Sequence, residues 1–163
     1  SILHLNGFQA FKKRLTFIFS KVELIIKQIS FTADKKCVGS LNMYELVVEK
    51  TFAGAHNLRG YDGDCEKLHG HNWKVEVTLK TEKLNELGMV MDFKVVKKKL
   101  GEILSRFDHS YLNELDEFKQ ENPTTENVSK IIYNNLSEQL PPEVFVAKVK
   151  TWESEKCAAA YYV

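Results

Sequence analysis

The sequence has little net charge, few cysteines and no long apolar run, and each shortage removes a class of protein. A net charge of +1 over 163 residues gives no electrostatic reason to expect nucleic acid as a partner. The three cysteines, Cys37, Cys65 and Cys157, are too few and too odd in number for a disulfide framework. A reducing compartment, the cytoplasm, is therefore expected. No stretch of about 18 uninterrupted apolar residues occurs, so no membrane span is expected. Internal repeats and low-complexity tracts are missing too, which excludes a repeat array. What remains, 44% hydrophobic and 28% charged residues, is ordinary for a globular protein long enough to bury a core.

The even charge balance hides a division. Residues 1–42 carry seven Lys/Arg against two acids, a charge of +5, which leaves −4 for residues 43–163. Segment 8–29 (FQAFKKRLTFIFSKVELIIKQI) is apolar and basic, as in a targeting or surface-binding helix, or an extra packed helix. It lacks a small-residue cleavage site, and the composition shifts at Met43. The expectation is that 1–42 is an N-terminal extension, upstream of a natural start at Met43, and that the working domain is 43–163.

Within 43–163 the patterning predicts an α+β domain. Segment 44–53 reads as a strand, and 69–80 alternates strictly through Trp73, Val75, Val77 and Leu79, as a half-buried strand does. Gly88–Phe93 reads as a short strand ending at Asp92, a cap for a helix over 93–106. Asp108-His109 and Leu112-Asn113 mark a loop. Asn122-Pro123-Thr124-Thr125-Glu126 signals the start of a helix running to about Gln139. A strand over 144–153 follows, and 157–163 could extend the sheet. This order gives helices on one face of an antiparallel sheet.

Histidines carry the chemical signal. His69-Gly70-His71 has the i, i+2 spacing that puts two side chains on one face of a strand. His56 lies thirteen residues upstream, and a hairpin through 57–68 brings it alongside. Neutral imidazoles are common zinc ligands, and three of them with an open fourth position suit a catalytic site. Single histidines are more often packed or surface residues; the cluster, with Cys65 beside it, is what favours metal. Cys65 stands among Asp64, Glu66 and Lys67, where a nearby cation favours its thiolate. Spacing leaves it open whether Cys65 is a fourth ligand or a free base.

Phe52-Ala53-Gly54-Ala55-His56-Asn57-Leu58, followed by Cys65-Glu66-Lys67-Leu68-His69-Gly70-His71, resembles the 6-pyruvoyltetrahydropterin synthase family. The Cys-x-x-x-His-Gly-His spacing is similar to its bacterial branch, the 6-carboxy-tetrahydropterin synthases of queuosine biosynthesis. The resemblance continues through Met91-Asp92-Phe93, Phe107–Asn113, Asn122–Asn127 and Trp152-Glu153-Ser154, and does not touch 1–42. It implies the tunnelling fold: a four-stranded antiparallel sheet with two helices on one face, assembling into β-barrel trimers or hexamers with sites between subunits. It also implies Zn2+ on His56, His69 and His71, with Cys65 as catalytic thiol and Asp108 and His109 as its partner pair. Glu153 would anchor the pterin's amino-pyrimidinone edge, and Thr124, Thr125 and Glu126 would border it, although helix capping explains those three equally well.

The substrate implied is 7,8-dihydroneopterin triphosphate, and the product 6-carboxy-5,6,7,8-tetrahydropterin. Cys65 would then act as base, with His109 shuttling protons. Neighbouring residues on an extended strand point to opposite faces, so Asp108 and His109 pair only if the chain turns there. Glu66 introduces a second reading, because a glutamate near this position marks relatives that cleave the side chain to 6-hydroxymethyl-dihydropterin for folate synthesis. The pyruvoyl-forming lyase and a non-catalytic zinc-bearing assembly module are further alternatives. Arg59, Lys67 and Lys150 are the candidate triphosphate contacts.

Overall fold

The computed structural model describes residues 42–163; the expectations for segment 8–29 and the extension fall outside them. The elements are β1 (Tyr44–His56), β2 (His69–Thr81), α1 (Phe93–Leu104), β3 (Ser110–Tyr111), α2 (Thr125–Ser137), β4 (Phe145–Trp152) and β5 (Ala158–Tyr161). The sheet order is β3-β1-β2-β4-β5, antiparallel except for the short β1/β3 bridge.

Alternation decides which face is covered. Leu46, Val48 and Phe52 of β1 share one side with Trp73, Val75, Val77 and Leu79 of β2, and all seven are buried. Helix α1 lays Val96, Leu100, Ile103 and Leu104 on this side, and α2 adds Val128, Ile132 and Leu136, giving one continuous core. Each such side chain, fully buried, contributes about 1.5–3 kcal/mol. Trp73 is the largest: it stacks on Phe52 at 5.7 Å between ring centres, and its indole N–H donates to the Gly54 carbonyl at 3.1 Å. Both helices begin at side-chain caps, Asp92 accepting from the Lys94 amide and Thr124 from the Asn127 amide.

The sheet has five strands rather than four. Residues 158–161 pair with β4, and Ser110–Tyr111, expected as loop, bridge to β1. Gly88–Phe93 is not a strand. The Asn85 side chain accepts the Leu87 and Met89 amides at 3.0 Å each, closing a turn in which Gly88 takes a φ of 76°. Val90 and Met91 are apolar because they pack against the core from this loop. In β4 a one-residue irregularity opposite Thr78/Leu79 breaks the alternation after Val146 and turns Val149 into the core. The helices end at Leu104 and Ser137, slightly short of the expected limits.

Candidate functional site

Register builds the centre of the site. In the β1/β2 hairpin His56 lies directly opposite His69, and Gly54 opposite His71. The ring centres are 4.6 Å apart for His56 and His69, 5.3 Å for His56 and His71, and 4.9 Å for His69 and His71. Trp73 closes the floor with its ring edge-on to His56 at 5.0 Å.

Hydrogen bonds set the imidazole tautomers. The Nδ1 of His56 meets the Pro123 carbonyl at 2.8 Å, and that of His69 meets the Lys67 carbonyl at 2.7 Å. A carbonyl only accepts, so each Nδ1 carries the proton and each neutral ring keeps a lone pair on Nε2. This is the outer support that metal-binding histidines use. Burial pushes the His56 and His71 values below the ordinary 6.5, which favours the neutral form of both rings.

Glu153, just beyond β4, completes the group. Its Oε1 stands 3.2 Å from His71 Nε2, and its Oε2 accepts the Thr125 hydroxyl at 2.8 Å. The Glu153–His71 contact is an ion-pair distance without hydrogen-bond alignment, so the Nε2 atoms of both His56 and His71 remain buried with no hydrogen-bond partner. Leaving such an atom unsatisfied costs about 1–3 kcal/mol. Among the described residues, ligand atoms of His56, His69, His71 and Glu153 all lie within 4.8 Å of one another. Converging imidazole lone pairs beside one carboxylate fit a divalent transition metal.

Cys65 is not in that group; the fourth side chain near the three histidines is Glu153. The thiol lies half-buried on a single 3₁₀ turn, Asp64–Glu66. Asn57 ties this turn down: its side-chain amide donates to the Glu66 carbonyl at 3.1 Å, while Leu58 N–H donates to the Cys65 carbonyl at 2.8 Å. Asn57 is held in turn by a reciprocal pair with Asn113 at 3.0 and 2.8 Å and by the Tyr111 hydroxyl at 2.5 Å.

The chain does turn at Asp108-His109. His109 takes a left-handed φ of 55°, and its Nδ1 comes within 3.1 Å of Asp108 Oδ2. The turn is clamped to β1: Asp108 Oδ1 accepts the Ala53 amide at 2.9 Å, and the His109 amide donates to the Ala53 carbonyl at 2.6 Å. The Ala53 amide, with help from His109, holds the Asp108 carboxyl below its usual range. Gly54 lets this arm approach, since a Cβ there would stand 3.2 Å from the Phe107 carbonyl oxygen. A depression of about 550 Å³ is lined by Ala53, Ala55, Gly70, His71 and His109, among others.

The remaining expected residues divide. Thr125 reaches the site through Glu153, Thr124 is spent on the helix cap, and Glu126 is exposed in the first helical turn, where its charge suits the helix dipole. Arg59 is already engaged, one guanidinium nitrogen donating to the Phe118 and Glu121 carbonyls at 2.6 and 2.7 Å. Lys67 pairs with Asp64 at 3.4 Å, and Lys150 lies over the Trp152 ring at 4.4 Å. Sequence reasoning overlooked Asn57, Asn113, Tyr111 and the Pro123 carbonyl. The only signal was Leu112-Asn113, read as a loop marker although Asn113 is buried.

The family model described as 6-pyruvoyl tetrahydropterin synthase matches residues 45–163. A protein of Archaeoglobus fulgidus provisionally named 6-carboxy-5,6,7,8-tetrahydropterin synthase is 39% identical over 108 residues, covering 66% of this chain and 86% of its own. The 6-carboxy-5,6,7,8-tetrahydropterin synthase of Synechocystis is 34% identical over 125 residues, covering 74% and 94%. A Pyrococcus furiosus protein named dihydroneopterin monophosphate aldolase is 31% identical over 111 residues, covering 68% and 90%. The solved 6-pyruvoyl tetrahydropterin synthase of Caenorhabditis elegans superposes with a TM-score of 0.67 at 26% identity, over 75% of this chain and 96% of that one. The match spans both histidine strands, the Asp108-His109 arm and Glu153, and the chain accordingly belongs to the 6-pyruvoyl tetrahydropterin synthase family of pterin-processing lyases.

Proposed function

We propose that the protein is a zinc-dependent 6-carboxy-tetrahydropterin synthase of the queuosine pathway, working in the cytoplasm as a homo-oligomer with sites between subunits. It would convert 7,8-dihydroneopterin triphosphate and one water to 6-carboxy-5,6,7,8-tetrahydropterin, acetaldehyde and triphosphate. The observation that carries the metal part is the convergence of His56, His69 and His71, two of them oriented by carbonyls and two with buried, unpartnered Nε2 atoms. The names of the Archaeoglobus and Synechocystis relatives favour the carboxy product.

In this reading His56, His69 and His71 hold the zinc, which when bound supplies Lewis-acid polarisation of the substrate's side-chain hydroxyls. Cys65 removes a proton from the adjacent carbon. His109 accepts and returns protons at Nε2, because Nδ1 faces Asp108. Glu153 takes the pterin's guanidine-like edge with its two oxygens, and Thr125 fixes the carboxylate plane for that pairing. Arg59 is not assigned to the triphosphate, since one of its guanidinium nitrogens already donates to the Phe118 and Glu121 carbonyls.

A second reading rests on Glu66 and on the Pyrococcus relative's name: aldol cleavage of the pterin side chain to 6-hydroxymethyl-dihydropterin. Incubating the zinc-loaded protein with dihydroneopterin triphosphate and weighing the products separates the two. Acetaldehyde with triphosphate supports the first reading and hydroxymethyl-dihydropterin the second. Turnover of neither kind leaves a zinc-bearing assembly module.

A further inference from the structure

We infer that Arg59 and Asn122 are positioning residues for the metal centre, acting through the Pro123 carbonyl on the ring of His56. The inference rests on the metal reading above. His56 is the most buried of the three histidines, and among the described residues its ring makes one hydrogen bond, from Nδ1 to the Pro123 carbonyl, 67 residues away in sequence. Pro123 lies in no helix or strand. Whatever holds that loop in place therefore holds the ring.

Four contacts do so. The Arg59 amide donates to the Asn122 side-chain oxygen at 2.9 Å, and the Asn122 side-chain amide donates back to the Arg59 carbonyl at 3.0 Å. The Arg59 guanidinium reaches over to the Phe118 and Glu121 carbonyls. Pro123 itself has little freedom, because its ring fixes φ. On its far side the Asn122 carbonyl accepts the Thr124 amide at 2.8 Å and the Asn127 side chain at 2.9 Å. That carbonyl is thereby turned into the start of α2, while the next one, of Pro123, is left for His56.

The arrangement links two segments that the ligand motif does not join. Arg59 lies three residues past His56 on the loop between β1 and β2, and Asn122 precedes α2. Closing one onto the other delivers a carbonyl to Nδ1, keeps the proton there, and leaves the Nε2 lone pair facing His69 and His71. An outer partner of this kind is typically worth about 10- to 100-fold in metal affinity.

The test compares Asn122→Ala, Arg59→Ala and Arg59→Lys with the wild type and with Ile132→Val, a core variant chosen for thermal loss about two turns into α2. In the metal-free protein, nitrogen–proton correlation spectra report which His56 nitrogen is protonated. Zinc titration against a competing chelator reports affinity. The inference expects Nδ1–H in the wild type, a tautomer mixture in Asn122→Ala, and zinc bound about 10- to 100-fold more weakly by Asn122→Ala and Arg59→Ala. Arg59→Lys, which keeps the charge but not the guanidinium fork, should lie between. A wild-type tautomer and wild-type affinity in folded Asn122→Ala and Arg59→Ala would overturn it, as would an equal affinity loss in Ile132→Val. Failure of the wild type itself to bind zinc would overturn the metal reading, and with it this one.

Discussion

The proposed site has an inner wall and an outer arm, built by different means. The inner wall is His56, His69 and His71, carried on paired strands in a fixed register and resting on Trp73. The outer arm is Cys65 on one 3₁₀ turn and His109 on a left-handed turn, with the His109 side chain 83% exposed. Strand pairing spaces the ligands without help from the site, so the wall is rigid by construction. The arm has only the short β3 bridge beside it and is held by single backbone bonds and side-chain clamps, Asn57 with Asn113 and Asp108 with Ala53. A metal needs fixed donors, whereas a proton carrier needs reach and exchange with solvent. The proposed division of labour follows from that.

The sharpest way to separate wall from arm is to remove one member of each. His69→Ala or His71→Ala should abolish stoichiometric zinc, measured by elemental analysis, and reduce turnover to background. Retention of a full equivalent of zinc would break the proposed wall. Cys65→Ala should leave zinc content unchanged while kcat falls by about 10²- to 10⁴-fold, the span of a positioned acid–base group. If Cys65→Ala also loses the metal, arm and wall are not separate.

Acid should affect the wall through its buried rings. A base whose folded value lies below its ordinary 6.5 binds fewer protons folded than unfolded. The stability contributed by His56 and His71 is therefore complete above that pH and declines as pH falls below it. Thermal midpoints of the metal-free protein should drop with acidification through this range, and less steeply in His71→Gln. Parallel curves for the two proteins would show that burial of His71 contributes nothing to the slope.

Two adjacent threonines give the smaller contrasts. Thr125→Val removes the hydroxyl that steadies Glu153 and should raise KM for the pterin with the zinc content intact. Thr124→Ala should instead cost about 1 kcal/mol of stability, the usual loss at a helix cap, with KM unchanged. A raised KM in Thr124→Ala would place that residue in the pterin site after all.

The legibility of these parts follows the range of the forces behind them. The His-x-His pair could be read because a strand repeats every two residues, and His56 because a hairpin returns the chain to it. The α2 start at Thr124-Thr125 is a local capping signal. The Gly88–Phe93 segment misled because apolar residues packing from a turn look like a short strand. The burial of Val149 gave no sign, because a bulge shifts the alternation and leaves no mark in composition. Asn113 and Tyr111 were passed over because polar residues in a loop give no local sign that they bind another loop 54 to 56 residues away.

By itself the sequence determined the α+β layout of 43–163, the three clustered imidazoles and the family, since each rests on periodicity, short spacing or an ordered motif. Only the tertiary structure decided which histidine nitrogens are free, that Glu153 rather than Cys65 stands beside them, and that Arg59 is spent on the loop bearing Pro123. Those outcomes depend on hydrogen bonds between segments far apart in the chain, and no local pattern of residues encodes where such segments meet.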